Sequence, residues 1–328
     1  MRDVAIRAGV GLGTVSRVVN GGVSVRAQTA DRVRTAIDEL GFQRNEIARA
    51  LRPGMNSAML ALLVGDLTNP FYASIAKAAV EVARKQGYAV VVSTVDEDPA
   101  AEQRAVRELL GRRVAGLMIV PDQGNHSFLR GDLATRTPVV FVDRPASGVQ
   151  ADVVVLDNDR GGWLATEHLI GNGHRRIAIL VAPSYYTTGR RLRGYRRALR
   201  DAGLAPDAAD VVRLPLGSSE SASLATESLL DRPRPPTAVF ATTNFLTEGA
   251  MRTVRARGAP TAVVGFDDFR FADLLPIPVS VVSGDVAEMG RIAAGLLLDR
   301  IAGDSAPPRR IVLPVHLIPR GSGELPPL

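Results

Sequence analysis

The chain is 328 residues long, 46% hydrophobic and 23% charged, a balance that suits about two to three folded units and excludes a disordered chain. It contains no cysteine, which rules out disulfides and thiolate metal sites, and no apolar run approaches the roughly 18 residues needed to cross a bilayer. The net charge of +6 is concentrated at one end: nine Arg face five Asp or Glu within residues 1–60, and the remainder is close to neutral. A small basic end on a nearly neutral body is the electrostatic outline of a nucleic-acid-binding headpiece. Arg2, Asp3 and Arg7 interrupt any apolar signal core, so the chain reads as cytoplasmic.

The first predicted helix covers Asp3–Ala8, with Val4, Ala5 and Ala8 inward and Gly9 as its stop. Val10-Gly11 forms a turn, and a second short helix covers Leu12–Asn20 before Gly21-Gly22. Two short helices joined by a glycine-containing turn form a helix-turn-helix. A third helix, about Thr29 to Leu40, places Ala30, Val33, Ile37 and Leu40 on one face, and Gly41 ends it. The Gly9-Val10-Gly11-Leu12-Gly13 run imitates a phosphate loop. It lacks both the preceding strand and the acidic residue about 20 positions on that a dinucleotide site requires.

These residues carry a resemblance. Asp3-Val4-Ala5, Ala8-Gly9-Val10, Thr14-Val15-Ser16-Arg17-Val18-Val19-Asn20 and Glu39-Leu40-Gly41-Phe42 resemble the headpiece of the lactose-repressor (LacI/GalR) family, as do Asn45, Ile47-Ala48-Arg49 and Leu51. The resemblance implies that the second helix enters the major groove and that Arg17 reads a base, its planar fork matching the two acceptors of guanine. By the same resemblance Thr14, Ser16, Asn20 and Thr29 hold the DNA backbone. Asn45, Ala48 and Leu51 match a hinge helix whose leucine wedges into the minor groove. Leu12 and Gly13 depart from the polar residues usual at two base-facing positions: leucine can meet a thymine methyl, and glycine offers no side chain. Gly11 replaces a serine cap, and Arg26 stands where serine is usual.

Arg52-Pro53-Gly54-Met55-Asn56-Ser57 breaks any helix and separates headpiece from body. The expected divisions are a headpiece at 1–44, hinge and linker at 45–57, and a two-lobed body at 58–328. Strand-like runs follow at Leu60–Val64, Ala89–Val92, Gly116–Val120, Val139–Val142, Ile177–Val181, Ala238–Phe240 and Ala262–Phe266. Helices such as Phe71–Gln86 and Arg190–Ala202 lie between them. Continuous apolar strands alternating with helices predict parallel sheets covered on both faces, with ligands beyond the strands' carboxyl ends. Asp66, Asn69, Asp143-Arg144, Asn244 and Asp267-Asp268 fall just there.

The body resembles the same family, whose effector domain is similar to periplasmic sugar-binding proteins. The residues that carry this are Asp66–Phe71, Asp96-Glu97-Asp98-Pro99, His168-Leu169-Ile170 with Gly173–Ala178, and Val264–Asp268. The resemblance places Asn69, Phe71, Asp143, Arg191 and Asp267 in an effector cleft, where carboxylates and Arg hold hydroxyls and an aromatic face stacks on a sugar ring. Each carboxylate taken singly also suits a helix cap. Asn244 takes the place of a usual aspartate, Thr243 that of a usual asparagine, and Ser283-Gly284-Asp285 that of a usual Arg-Gln-Pro.

No catalytic constellation emerges. The four histidines are scattered, no nucleophile elbow is present, and neither metal nor cofactor is called for. The reading is a small all-α helix-turn-helix headpiece joined to a two-lobed α/β effector domain with parallel sheets, not an enzyme. Its implied partners are a pseudo-palindromic DNA operator, a small-molecule effector of the sugar type and a second copy of itself, with no membrane. The effector acts as inducer or corepressor, the same coupling with opposite sign. The rivals are a solute-binding transport component, an α/β enzyme, and an architectural DNA binder with a vestigial sensor.

Overall fold

In the computed structural model, which describes residues 1–19, 25–42, 58–95, 98–131, 137–183, 185–205 and 207–327, the chain divides into two units, residues 1–57 and 58–328. Among the described residues no helix is long and apolar enough to cross a membrane.

The first unit holds α1 (Arg2–Ala8), α2 (Leu12–Val19) and α3 (Ala27–Glu39). Val4, Ala5, Ala8, Val15, Val33 and Ala36 close its core. Gly9 ends α1 in the left-handed conformation, at φ 62°. The Arg32 guanidinium reaches back from α3 to donate to the Ala8 carbonyl, satisfying an orphan acceptor at the end of α1. Two expectations are corrected. The third helix starts two residues early, and Leu40, expected inside, is 45% exposed. Leu40 lies one residue past the last helical turn, so Ala36 rather than Leu40 completes the buried stripe.

The second unit comprises two six-stranded sheets flanked by helices. Lobe one orders its strands β11-β5-β4-β3-β1-β2 and lobe two β12-β10-β9-β8-β6-β7. In lobe one these are β1 (Met59–Val64), β2 (Ala89–Thr94), β3 (Gly116–Ile119), β4 (Val139–Val142), β5 (Asp152–Leu156) and β11 (Arg310–Leu313). In lobe two they are β6 (Ile177–Val181), β7 (Val211–Arg213), β8 (Ala238–Ala241), β9 (Ala262–Phe266), β10 (Ser280–Gly284) and β12 (Val315–Ile318). Helices α4 (Pro70–Lys85), α5 (Pro99–Gly111) and α10 (Val286–Ile301) serve lobe one. Lobe two has α6 (Asn158–Gly171), α7 (Tyr186–Asp201), α8 (Ser219–Leu230) and α9 (Asn244–Ala256).

The chain crosses between lobes at Asp157, Asp285 and Pro314. The first two cap the helices they enter, accepting from Arg160 N and Glu288 N. After Pro314 the chain runs back into lobe two, which makes β12 antiparallel to β10 while every other neighbouring strand pair is parallel. Because the parallel strands of both lobes point toward the crossings, their carboxyl ends face one another across a cleft.

Helices α6 and α7 approach until backbones touch. A Cβ at Gly162 would lie 2.0 Å from the Arg191 carbonyl oxygen, and one at Gly194 2.1 Å from that of Asp159. This close crossing sets the position of Arg191 on α7. At the far end of lobe one, the Asp152 carboxylate is buried and accepts from Arg300 Nε and Nη2 at 2.8 and 2.9 Å and from Arg309 N at 2.7 Å. Burial pushes its pKa up, but the hydrogen bonds from Arg300 and Arg309 outweigh that and lower it to about 2. A depressed carboxylate contributes stability that is present above its unfolded pKa and lost as pH falls through the folded value. Asp152→Asn is therefore expected to cost about 3 kcal/mol in urea unfolding near neutrality. The variant should also lack the share of acid destabilisation that the wild type acquires between about pH 4 and pH 2. Parallel pH profiles for the two proteins would contradict this.

Candidate functional site

The cleft between the lobes has a volume of about 750 Å³, within the range of small-molecule sites. From lobe one, Asp66 follows β1, and Asn69 caps α4 by accepting the Phe71 N–H at 3.0 Å, with Pro70 at the first helical position. Phe71 is buried and meets Tyr72 edge-on at 5.3 Å. Arg144 donates to the Tyr72 hydroxyl at 3.1 Å and lies 4.3 Å from the ring centre of Tyr185, which comes from lobe two.

Asp143 and Asp267 occupy matching places. Each follows the fourth strand of its lobe, each N–H donates to the next strand (Val154 O at 2.8 Å, Val282 O at 2.9 Å), and each backbone is left-handed, at φ 69° and 67°. That conformation costs a non-glycine residue about 1 kcal/mol, and Asp is among the residues that tolerate it best. Both carboxylates are thereby held at the cleft instead of capping a helix.

Arg191 is buried beneath the cleft. It donates to Asn158 Oδ1 at 2.8 Å, the Thr242 carbonyl at 2.6 Å and Asp267 Oδ2 at 3.2 Å, with its guanidinium 3.5 Å from the Phe266 ring centre. Burial pushes the Asp267 pKa up, and the charge and hydrogen bond of Arg191 only partly offset this. Oδ2 is taken, but Oδ1 is buried with no hydrogen-bond partner. An orphan carboxylate oxygen lining a cleft is an acceptor waiting for a ligand donor.

Each of the three arginines in the lining faces a carboxylate: Arg144 and Asp143 at 3.7 Å, Arg191 and Asp267 at 3.2 Å, Arg252 and Glu248 at 2.5 Å. Asp66 and Glu220 add further negative charge. The balance favours an uncharged ligand over a phosphate or carboxylate.

The structure brings Asn69, Phe71, Asp143, Arg191 and Asp267 together in this lining. Asn244 is placed differently. Its neighbours Thr243 and Phe245 line the cleft, while Asn244 itself is 5% exposed and donates to Asn69 Oδ1. Among the lining residues that the sequence reading does not single out are Tyr72, Tyr185, Thr187, Thr188, Ser218, Phe245 and the charged Glu220, Glu248 and Arg252. Tyr185 to Thr188 follow β6, whose apolar run is plain in the sequence, so their place beyond a strand end is the signal that points to them. Ser218 follows β7, whose three residues carry too little signal.

In the first unit, Leu12, Gly13 and Arg17 lie on the exposed face of α2, Thr14 and Ser16 flank it half-buried, and Val15 faces the core. Thr29 is half-buried near the start of α3. Arg17 Nε donates to the Gly13 carbonyl at 3.2 Å. A side chain at Gly13 would meet nothing within 4 Å, so packing does not demand glycine there. Asn20, Asn45, Ala48 and Leu51, with the expected hinge helix, lie outside the described residues.

Comparison with known proteins places both units. Residues 1–45 match the model for bacterial regulatory proteins of the lacI family, and residues 57–320 that for periplasmic binding proteins and the sugar-binding domain of the LacI family. The chain is 36% identical to the HTH-type transcriptional regulator CelR of Thermobifida fusca, over 98% of this chain and 97% of that protein. Among solved structures, it is similar to a CelR–cellobiose complex (35% identity, TM-score 0.74) and to a lac repressor dimer bound to operator and an anti-inducer (29%, TM-score 0.86). Each of these covers 98% of both chains.

Proposed function

The chain belongs to the LacI family of bacterial regulatory proteins, and on that premise we propose that it is a cytoplasmic, homodimeric repressor whose operator affinity is set by an uncharged sugar in the interlobe cleft. It is a DNA-binding transcriptional regulator and not an enzyme. In the proposed division of labour, residues 1–44 read a pseudo-palindromic operator, 45–57 form hinge and linker, and 58–328 bind effector and dimerise. Arg17, exposed on α2, reads a base; Leu12 and Gly13 lie against the groove; Thr14, Ser16, Asn20 and Thr29 hold phosphates; and Asn45, Ala48 and Leu51 act in the minor groove.

One observation carries the effector assignment: the buried, unpartnered Oδ1 of Asp267 at a cleft whose lining arginines all face carboxylates. A hydroxyl-rich neutral ligand supplies donors to Asp143 and Asp267 and apolar ring faces to Phe71 and Phe245. The cellobiose in the CelR complex is of this class. Dimerisation is supported by Phe271, Leu274 and Ile277, which are 57, 72 and 43% exposed beside an apolar groove lined by Met251, Val254 and Leu275. Closure of the lobes by the effector alters the spacing of two hinges, and so the DNA affinity.

Calorimetry with cellobiose, maltose, ribose and glucose 6-phosphate tests the effector class. A neutral sugar is expected to bind and the phosphorylated one is not. Binding of glucose 6-phosphate alone would overturn the charge argument.

A further inference from the structure

Across the cleft two amides meet whose orientations are both dictated by helix ends. Asn69, of lobe one, turns its Oδ1 to the Phe71 N–H at 3.0 Å. Asn244, the first residue of α9 in lobe two, turns its Oδ1 to the Phe245 N–H at 2.9 Å. Each backbone donor selects the oxygen, so the assignment of O and N in both amides follows from the network. With its oxygen committed, Asn244 points Nδ2 outward and donates to Asn69 Oδ1 at 2.9 Å, with Asn244 almost wholly buried.

We propose that this amide pair is a built-in latch that holds the lobes together without effector. The donor must come from lobe two, because Asn69 cannot offer its own Nδ2 to Asn244 without abandoning its cap on α4. An aspartate at 244 would set acceptor against acceptor. The latch also means that Asn69 presents only its Nδ2 donor to a ligand. Two further contacts bridge the same gap: Arg144 stacks over Tyr185 at 4.3 Å, and Arg310 donates to the Tyr186 hydroxyl. The lobes are thus drawn together before any ligand arrives, and an effector acts on an equilibrium already biased toward closure. Only this last consequence rests on reading the cleft as the effector site. The latch is tested without effector or DNA, so it fails or stands independently of that reading.

The absence of native cysteine permits site-specific labelling. Arg107→Cys on lobe one and Glu227→Cys on lobe two place dyes at exposed positions of the full chain. One labelled protomer, diluted into unlabelled protein, reports lobe closure by single-molecule energy transfer. Asn244→Asp keeps an oxygen for Phe245, and Asn69→Ser keeps the α4 cap but cannot span the gap. Each is expected to raise the open-to-closed ratio about three- to tenfold, the effect of one hydrogen bond. The double variant should go no further than either single, since both remove the same interaction. If Asn244→Asp does not fold, Asn69→Ser decides alone. An unchanged ratio in the folded single variants, or multiplicative effects in the double, would overturn the latch.

Discussion

Arg17→Ala is expected to weaken binding to the operator about 10- to 100-fold while leaving affinity for random duplex within a few-fold. The asymmetry follows from where the side chain stands. Arg17 lies on the exposed face of α2, opposite Val15, and its Nε is turned back to the Gly13 carbonyl of its own helix. That bond is local and easily exchanged, so the guanidinium is free to present its fork to guanine. Its neighbours on that face, Leu12 and Gly13, offer no hydrogen-bonding side chain. On the proposed reading, direct readout by α2 rests heavily on one residue, and its loss is not shared out. Non-specific affinity depends on the whole basic headpiece and loses one charge among several. Anisotropy titrations on operator and scrambled duplexes at matched salt measure both. An equal loss on the two DNAs would remove Arg17 from base reading.

Asp267→Asn is the second large effect. Asparagine tolerates the left-handed backbone at 267 and can still accept from Arg191. Alanine would strain the turn and leave Arg191 buried without its carboxylate, which confuses stability with recognition. The amide replaces a charged acceptor by a neutral group whose second arm donates. Effector affinity is expected to fall about 10- to 100-fold, the range for a hydrogen bond to a charged group. Operator affinity without effector should stay within about threefold, and thermal stability close to that of the wild type. Burial raises the Asp267 pKa, so effector affinity of the wild type should weaken on acidification earlier than an exposed aspartate would dictate. An unchanged effector response in the variant would displace Asp267 from the site.

Much of the architecture was open to reading because burial is total where it matters. β1, β3, β4, β6, β8 and β9 are continuous apolar runs, since parallel strands are covered on both faces. Five strands escaped notice. β5 and β10 are buried, but their short runs are begun or broken by polar residues (Asp152; Ser280 and Ser283), and the other three are of another kind. β7 has three residues at a sheet edge, and β11 and β12 are half-exposed edge strands split between lobes by a single proline. Nothing local in Arg310–Ile318 tells that its two halves join different sheets; that follows only from the three crossings. Asp143 and Asp267 could be placed by the rule that ligands sit beyond strand ends, and the structure adds their left-handed turns and the pairing of Asp267 with Arg191. Asn244 shows the limit of the rule. It follows a strand as required, yet its side chain is claimed by Asn69, 175 residues away in sequence, and a partner at that distance leaves no local mark.

Selection of duplexes from a random pool by the full chain, alone and with each of several neutral sugars, tests the central claim most directly. The expected result is a pseudo-palindromic consensus with a guanine in each half-site, whose recovery depends on one of the sugars and is lost with Arg17→Ala. Failure to enrich any sequence in every arm would contradict the assignment of this chain as a sugar-controlled reader of DNA.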